Sequence, residues 1–242
     1  MLSDFNCRLF ELNRFEIFDA DRDGLLSIEL EKIKKDIASL SKCGFHTFYC
    51  PIRYNDNFSV SHTLQITRKL REISRNAIPR DCGKIAVYFV PRICVSPDVP
   101  YIKNISSLCV KKTNYIFVEL PLDLTPTYIP ETLNKLLYSC HLKPIFSEFQ
   151  LYVEIYDPSE IKKMLRIKGA AFQFNIKTAF EPQNIAIIKR IIKNGNYVLL
   201  GTNSNHDNLN INDVNINLRK LKNTLGEHAF LEIIINSKRF LS

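Results

Sequence analysis

Tyr115-Ile116-Phe117-Val118-Glu119-Leu120-Pro121 is the stretch from which the fold can be read. Four consecutive apolar, β-prone residues run into a carboxylate and then a proline. A strand with apolar side chains on both of its alternating faces is covered on both faces, as strands of parallel sheets are. A carboxylate at the C-terminal end of such a strand stands where barrel enzymes carry their functional groups.

Runs of the same kind recur along the chain. The expected strands are Arg14–Phe18, Phe45–Cys50, Ile85–Val90, Tyr115–Leu120, Pro144–Phe146, Ala170–Ile176 and Tyr197–Gly201. Amphipathic segments lie between them. Ile33, Ile37 and Leu40 fall at helical spacing, as do Ile129, Leu133, Leu136 and Cys140, and then Ile185, Ile188 and Ile192. Ser59, Pro158 and Pro182 supply helix-start signals. About seven βα units predict an α/β fold, a distorted (β/α)7 TIM-like barrel formed by residues 1–242 as one domain. A doubly wound dinucleotide-binding sheet is the weaker option, because no GxGxxG is present.

Composition narrows the function classes. Hydrophobic residues make up 45% of the 242, enough for one large core. The formal net charge is +8, but Lys and Arg are spread along the chain with no run of five, so no specific nucleic-acid partner is expected. Seven cysteines without paired spacing argue for reduced thiols rather than disulfides or a zinc knuckle. No apolar stretch approaches the ~18 residues of a membrane span, so a cytoplasmic location is expected.

The segment 18–30, FDADRDGLLSIEL, offers a calcium-loop reading. Asp19, Asp21 and Asp23 take the first ligand positions and Gly24 the turn, yet Leu30 stands where a bidentate glutamate is needed. Asp and Gly also make ordinary turns.

The strand ends, taken in order, carry Phe18 and Ala20, then Arg53, then Arg92, Glu119, Glu148, and finally Asn203 and Asn205. With the turn Asp23-Gly24 and Ser27, the strand start Lys143-Pro144-Ile145, the strand 173–176 (QFNI), the strand end Gly201-Thr202-Asn203 and the helix 226–241, this order resembles the polymerase-and-histidinol-phosphatase (PHP) family. The resemblance is specifically to its manganese-dependent bacterial tyrosine phosphatases of capsule and exopolysaccharide gene clusters. It covers residues 14 to 241 and rests on shared order, since each motif is individually weak.

The resemblance implies metal-assisted phosphoester hydrolysis by ions held at the strand ends. Carried over, the family's first His-x-His falls on Phe18 and Ala20, the next His on Arg53 and the Glu after strand three on Arg92. Glu119 matches a family Glu. The His of strand five falls on Glu148, the substrate-directed Arg on Leu151, and the closing Asp-x-His on Asn203 and Asn205. Neutral amides are poor ligands for manganese, so the expectation is no catalytic residues, no bound metal and no cofactor. Arg53 and Arg92 are expected to pair with Glu119 and Glu148, to hold an anion, or to face solvent. The functional expectation is a degenerate, inactive homologue that binds phosphate, phosphotyrosine or a polysaccharide-assembly protein. The alternatives are an active phosphatase rebuilt on Glu119, Glu148 and His206 with one metal, and a calcium module through Asp19–Asp23.

Overall fold

The apolar runs do form a parallel sheet. The computed structural model describes residues 2–10, 23–54, 59–122, 126–204 and 209–238, with side chains from Leu30 onward in the second stretch. Its strands are β1 (Leu2–Asp4), β2 (Phe45–Arg53), β3 (Ala86–Cys94), β4 (Tyr115–Glu119), β5 (Lys143–Phe146), β6 (Ala171–Asn175) and β7 (Tyr197–Gly201). Each strand pairs in parallel with the next, in the order β1 to β7. Just past their ends β1 and β7 meet: Phe5 N–H donates to the Leu200 carbonyl at 2.9 Å, and Asn203 N–H to the Asn6 carbonyl at 2.8 Å. The result is a nearly closed barrel.

The helices among the described residues are α1 (Asp23–Lys42), α2 (Val60–Asn76), α3 (Ile129–Asn134), α4 (Phe149–Ile155), α5 (Pro158–Met164), α6 (Pro182–Lys193), α7 (Ile211–Leu225) and α8 (Glu227–Lys238). Ser59 caps α2 by accepting the His62 N–H at 3.2 Å, and Pro158 and Pro182 open α5 and α6. These local signals act as they do elsewhere. The helix expected over Ile129 to Cys140 continues from α3 into a π-helical turn at Lys135–Ser139.

Strand alternation builds two cores. Phe5, Tyr49, Val90, Phe117, Ile145, Ala171 and Leu199 point into the barrel, with Phe5 stacked on Tyr49 at 4.6 Å. The neighbouring residues, such as Ile116, Val118, Val198 and Leu200, face outward and meet Ile33, Ile37, Leu70, Leu133, Ile188 and Leu221 of the helices. All seven cysteines are free thiols. No helix among the described residues is long and apolar enough to cross a membrane.

The start of the sheet adds a strand that the expected list lacks. Arg14–Phe18 lies outside the described residues, and the first strand is Leu2–Asp4. Its polar Ser3 and Asp4 hide it from an apolar-run reading. Asp4 is fully buried because Oδ1 accepts the Thr202 N–H at 2.9 Å and the Asn6 N–H at 3.1 Å, while Oδ2 accepts the Thr202 hydroxyl at 2.6 Å. Burial pushes the Asp4 carboxyl up to about 6, even though the Thr202 and Asn6 hydrogen bonds pull it down.

Candidate functional site

Because the first strand is Leu2–Asp4, its C-terminal end delivers Asp4, Asn6 and Arg8 at alternate positions. The backbone holds this segment in place: Cys7 N–H donates to the Tyr49 carbonyl at 3.0 Å on one side, and Arg8 N–H to the Ser204 carbonyl at 3.0 Å on the other. Gly201 allows that close approach. A Cβ there would meet Asn6 Cβ and Gln173 Nε2 at 2.6 Å and the Asn6 backbone nitrogen at 2.9 Å.

Glu148 is the hub of the strand-end cluster. Its backbone is left-handed at φ 49° and ψ 47°, a conformation that a glutamate adopts only where its surroundings hold it. Here its N–H donates to Gln173 Oε1 at 2.8 Å. Its Oε2 accepts from Arg8 Nη2 at 3.1 Å and its Oε1 from Asn203 Nδ2 at 3.0 Å. Asn203 is itself left-handed, φ 52°, which asparagine tolerates well. One carboxylate therefore ties the ends of β1, β5 and β7 together.

Arg92 completes the cluster from β3. Its Nε lies 3.2 Å from Glu119 Oε2, and its Nη1 lies 3.8 Å from Glu148 Oε2. The first contact is short enough for a hydrogen bond, yet both atoms count as unpartnered because the N–H does not point at the oxygen. Arg92 thus neutralises two carboxylates by charge proximity rather than by a two-pronged hydrogen bond. Beside it, Tyr152 accepts the Leu120 N–H at 2.9 Å, and burial raises the Tyr152 hydroxyl far above its usual range. Asn6 Oδ1, Gln173 Nε2 and Ser147 Oγ are further buried polar atoms without a partner among the described residues.

The structure brings together Arg92, Glu119, Glu148 and Asn203, as their strand-end positions imply. Arg53 is the Cα partner of Arg92 across β2 and β3, but it is exposed and makes no ion pair with either glutamate among the described residues. The pairing expected of Arg53 is made by Arg8 instead. Leu151 sits in the first turn of α4, where its N–H donates to the Glu148 carbonyl at 2.9 Å. Phe18, Ala20, Asn205 and His206 lie outside the described residues, as does the Asp19–Asp23 loop except for Asp23, which begins α1.

Sequence reading missed Asn6 and Arg8. The signal that could have found them is the polar alternation Asp4, Asn6, Arg8 immediately after a short strand.

This donor set does not fit manganese. Hard divalent ions call for several carboxylate or imidazole ligands facing one point. The described strand ends offer Glu119 and Glu148, each already facing a guanidinium, and Asp4, which is buried and taken up by Thr202 and Asn6. Among the described residues no three His, Cys, Asp or Glu side chains converge as a ligand group.

No protein-family model matches the chain, and no curated protein matches its sequence. Solved structures do match. One comes from the structural description of YwqE from Bacillus subtilis and CpsB from Streptococcus pneumoniae, unique metal-dependent tyrosine phosphatases. It covers 99% of this chain and 94% of its own, with TM-score 0.68 and 17% identity. A second is histidinol phosphate phosphatase from Lactococcus lactis, in complex with zinc, L-histidinol and phosphate. It covers 94% of this chain and 92% of its own, with TM-score 0.49 and 12% identity. At such identity the first likeness is one of fold. The chain shares the (β/α)7 barrel fold of that solved phosphatase structure.

Proposed function

We propose that this chain is a PHP-type tyrosine phosphatase homologue that binds a phosphomonoester, such as a phosphotyrosine side chain, without hydrolysing it. The observation that carries this reading is the position of Arg92, 3.2 Å from Glu119 and 3.8 Å from Glu148, with Arg8 at 3.1 Å on the far side of Glu148. Guanidinium charge stands between carboxylates that would otherwise call for a cation. A guanidinium can neutralise and orient an oxyanion, but it cannot lower the pKa of a bound water as a metal ion does.

Two of the three arginines are occupied by the two glutamates. Arg53, exposed at the end of β2 beside Arg92, is the guanidinium available to an incoming phosphate. A fork of N–H donors suits a phosphate oxygen pair. A phosphotyrosine protein of a polysaccharide cluster is the partner class this reading favours.

The test has two arms. Purified protein is assayed for hydrolysis of an aryl phosphate with and without manganese, alongside its transition-metal content. Calorimetry then measures binding of phosphotyrosine to the natural protein and to Arg53→Gln. Expected are no turnover, sub-stoichiometric metal, and binding weakened about tenfold by the substitution, the effect of one charge-assisted hydrogen bond. Manganese-dependent turnover with stoichiometric metal would establish the rebuilt-enzyme reading instead.

A further inference from the structure

The chain's positive charge is not spread evenly once folded. Residues 59–84, which hold α2, carry six Lys and Arg against two acids, and residues 99–112 carry three against none. Together they account for +7 of the chain's formal +8. The fold packs these two segments beside each other, on either side of a groove of about 180 Å³.

That groove is amphipathic. Apolar Leu64, Pro91 and Val110 line it together with polar Thr67, Tyr88 and Ser107, and Arg71 and Lys111 add positive charge. Neither cation makes an ion pair with a described carboxylate. Arg71 is flanked on the same helical face by Arg68 and Arg75, three residues before and four after it, so three like charges stack along α2. Glu72, four residues after Arg68 and three before Arg75, offsets part of that stack, and an anionic partner would offset the rest. The groove opens where two strands diverge: β4 pairs with β3 only from Arg92 onward, so Tyr88 to Pro91 have β2 on one side and the groove on the other.

We infer that this groove is a docking surface for an acidic, extended polypeptide segment with one apolar side chain that enters it beside Leu64, Pro91 and Val110. The volume falls below the ~300–1,000 Å³ of ordinary cofactor and small-molecule pockets, and one side chain suits it better. The apolar share of that lining favours a peptide over a phosphodiester backbone, which would bring no apolar group to bury. The Arg68, Arg71 and Arg75 stripe supplies charge complementarity and speeds encounter. This surface shares no side chain with the Glu148 cluster and stands independently of the phosphate-binding reading.

The test uses the full chain and a fluorescein-labelled decapeptide of glutamate and aspartate with one central phenylalanine, followed by fluorescence anisotropy. Expected is saturable binding that weakens steeply with salt and weakens at least about fivefold when the phenylalanine is alanine. Arg71→Glu with Lys111→Glu is expected to weaken it at least about tenfold, and Arg68→Glu with Arg75→Glu, both at exposed positions, nearly as much. Lys162→Glu on α5 with Arg166→Glu just beyond its end, with the same change in net charge, is expected to leave it within about twofold. Excess phosphotyrosine is expected not to displace the peptide. Three results would each overturn the inference: absence of saturable binding, equal losses from the groove and α5 variants, or tighter binding of a dT decamer than of the peptide. The last would mark a nucleic-acid surface.

Discussion

Arg8 Nη2 lies 3.1 Å from Glu148 Oε2 across 140 residues of chain, joining the end of β1 to the turn after β5. Arg92 reaches the same oxygen from β3 at 3.8 Å, so one carboxylate oxygen is shared by two guanidinium groups.

The two arginines are expected to contribute unequally. Arg8 is 31% exposed at its side chain, Arg92 only 11%. Replacing Arg8 by Met is expected to lower unfolding free energy by about 1–2 kcal/mol, discounted for solvent screening. Replacing Arg92 by Met leaves Glu119 and Glu148 without a shared counter-charge and is expected to lower it by about 3 kcal/mol. Urea denaturation of both variants, with Glu148→Gln in a double-mutant cycle, checks the order. Equal effects, or no coupling to Glu148, would remove the shared-carboxylate account.

The Asp4 carboxyl titrates near 6 in the folded chain against 3.8 unfolded, because burial disfavours its charge. A raised folded pKa means that the folded state holds the proton longer. The stability this group contributes is present below the unfolded value and is lost as pH rises through about 6, amounting to about 3 kcal/mol. Asp4→Asn cannot titrate. Urea unfolding across pH 4 to 8 is therefore expected to show the variant gaining on the natural protein as pH rises, with the change centred between the two pKa values.

Gly201→Ala is expected to destabilise by about 2–3 kcal/mol, because the new methyl meets the Asn6 backbone nitrogen at 2.9 Å and backbone cannot swing away. The loss should concentrate at the β1–β7 seam. Hydrogen exchange at the Phe5 and Asn203 amides, which bond across that seam, checks this. Unchanged protection there would count against the seam account.

Tyr152→Phe removes the oxygen that accepts the Leu120 N–H and leaves that buried donor unsatisfied. A loss of about 1–3 kcal/mol in thermal or urea unfolding is expected, with the aromatic packing against Phe149 retained.

The amino-acid sequence alone determined strands β2 to β7 and their order. Strands β2 to β7 are apolar runs, and Ser59, Pro158 and Pro182 mark helix starts through geometry confined to one turn. Glu119 and Glu148 were legible for the same reason, since a charge closing an apolar run falls at a strand end. What lies between residues distant in sequence was decided only by tertiary structure. β1 is a strand because it pairs with β2 and its Asp4 finds Thr202 across the barrel seam, a partner nearly two hundred residues away, and that placement puts Arg8 on Glu148 while Arg53 stays in solvent. The positive charges obey the same rule. No run of five exists in the chain, yet packing α2 beside residues 99–112 brings Arg71 and Lys111 to one groove, because charge adds in space and not along the chain.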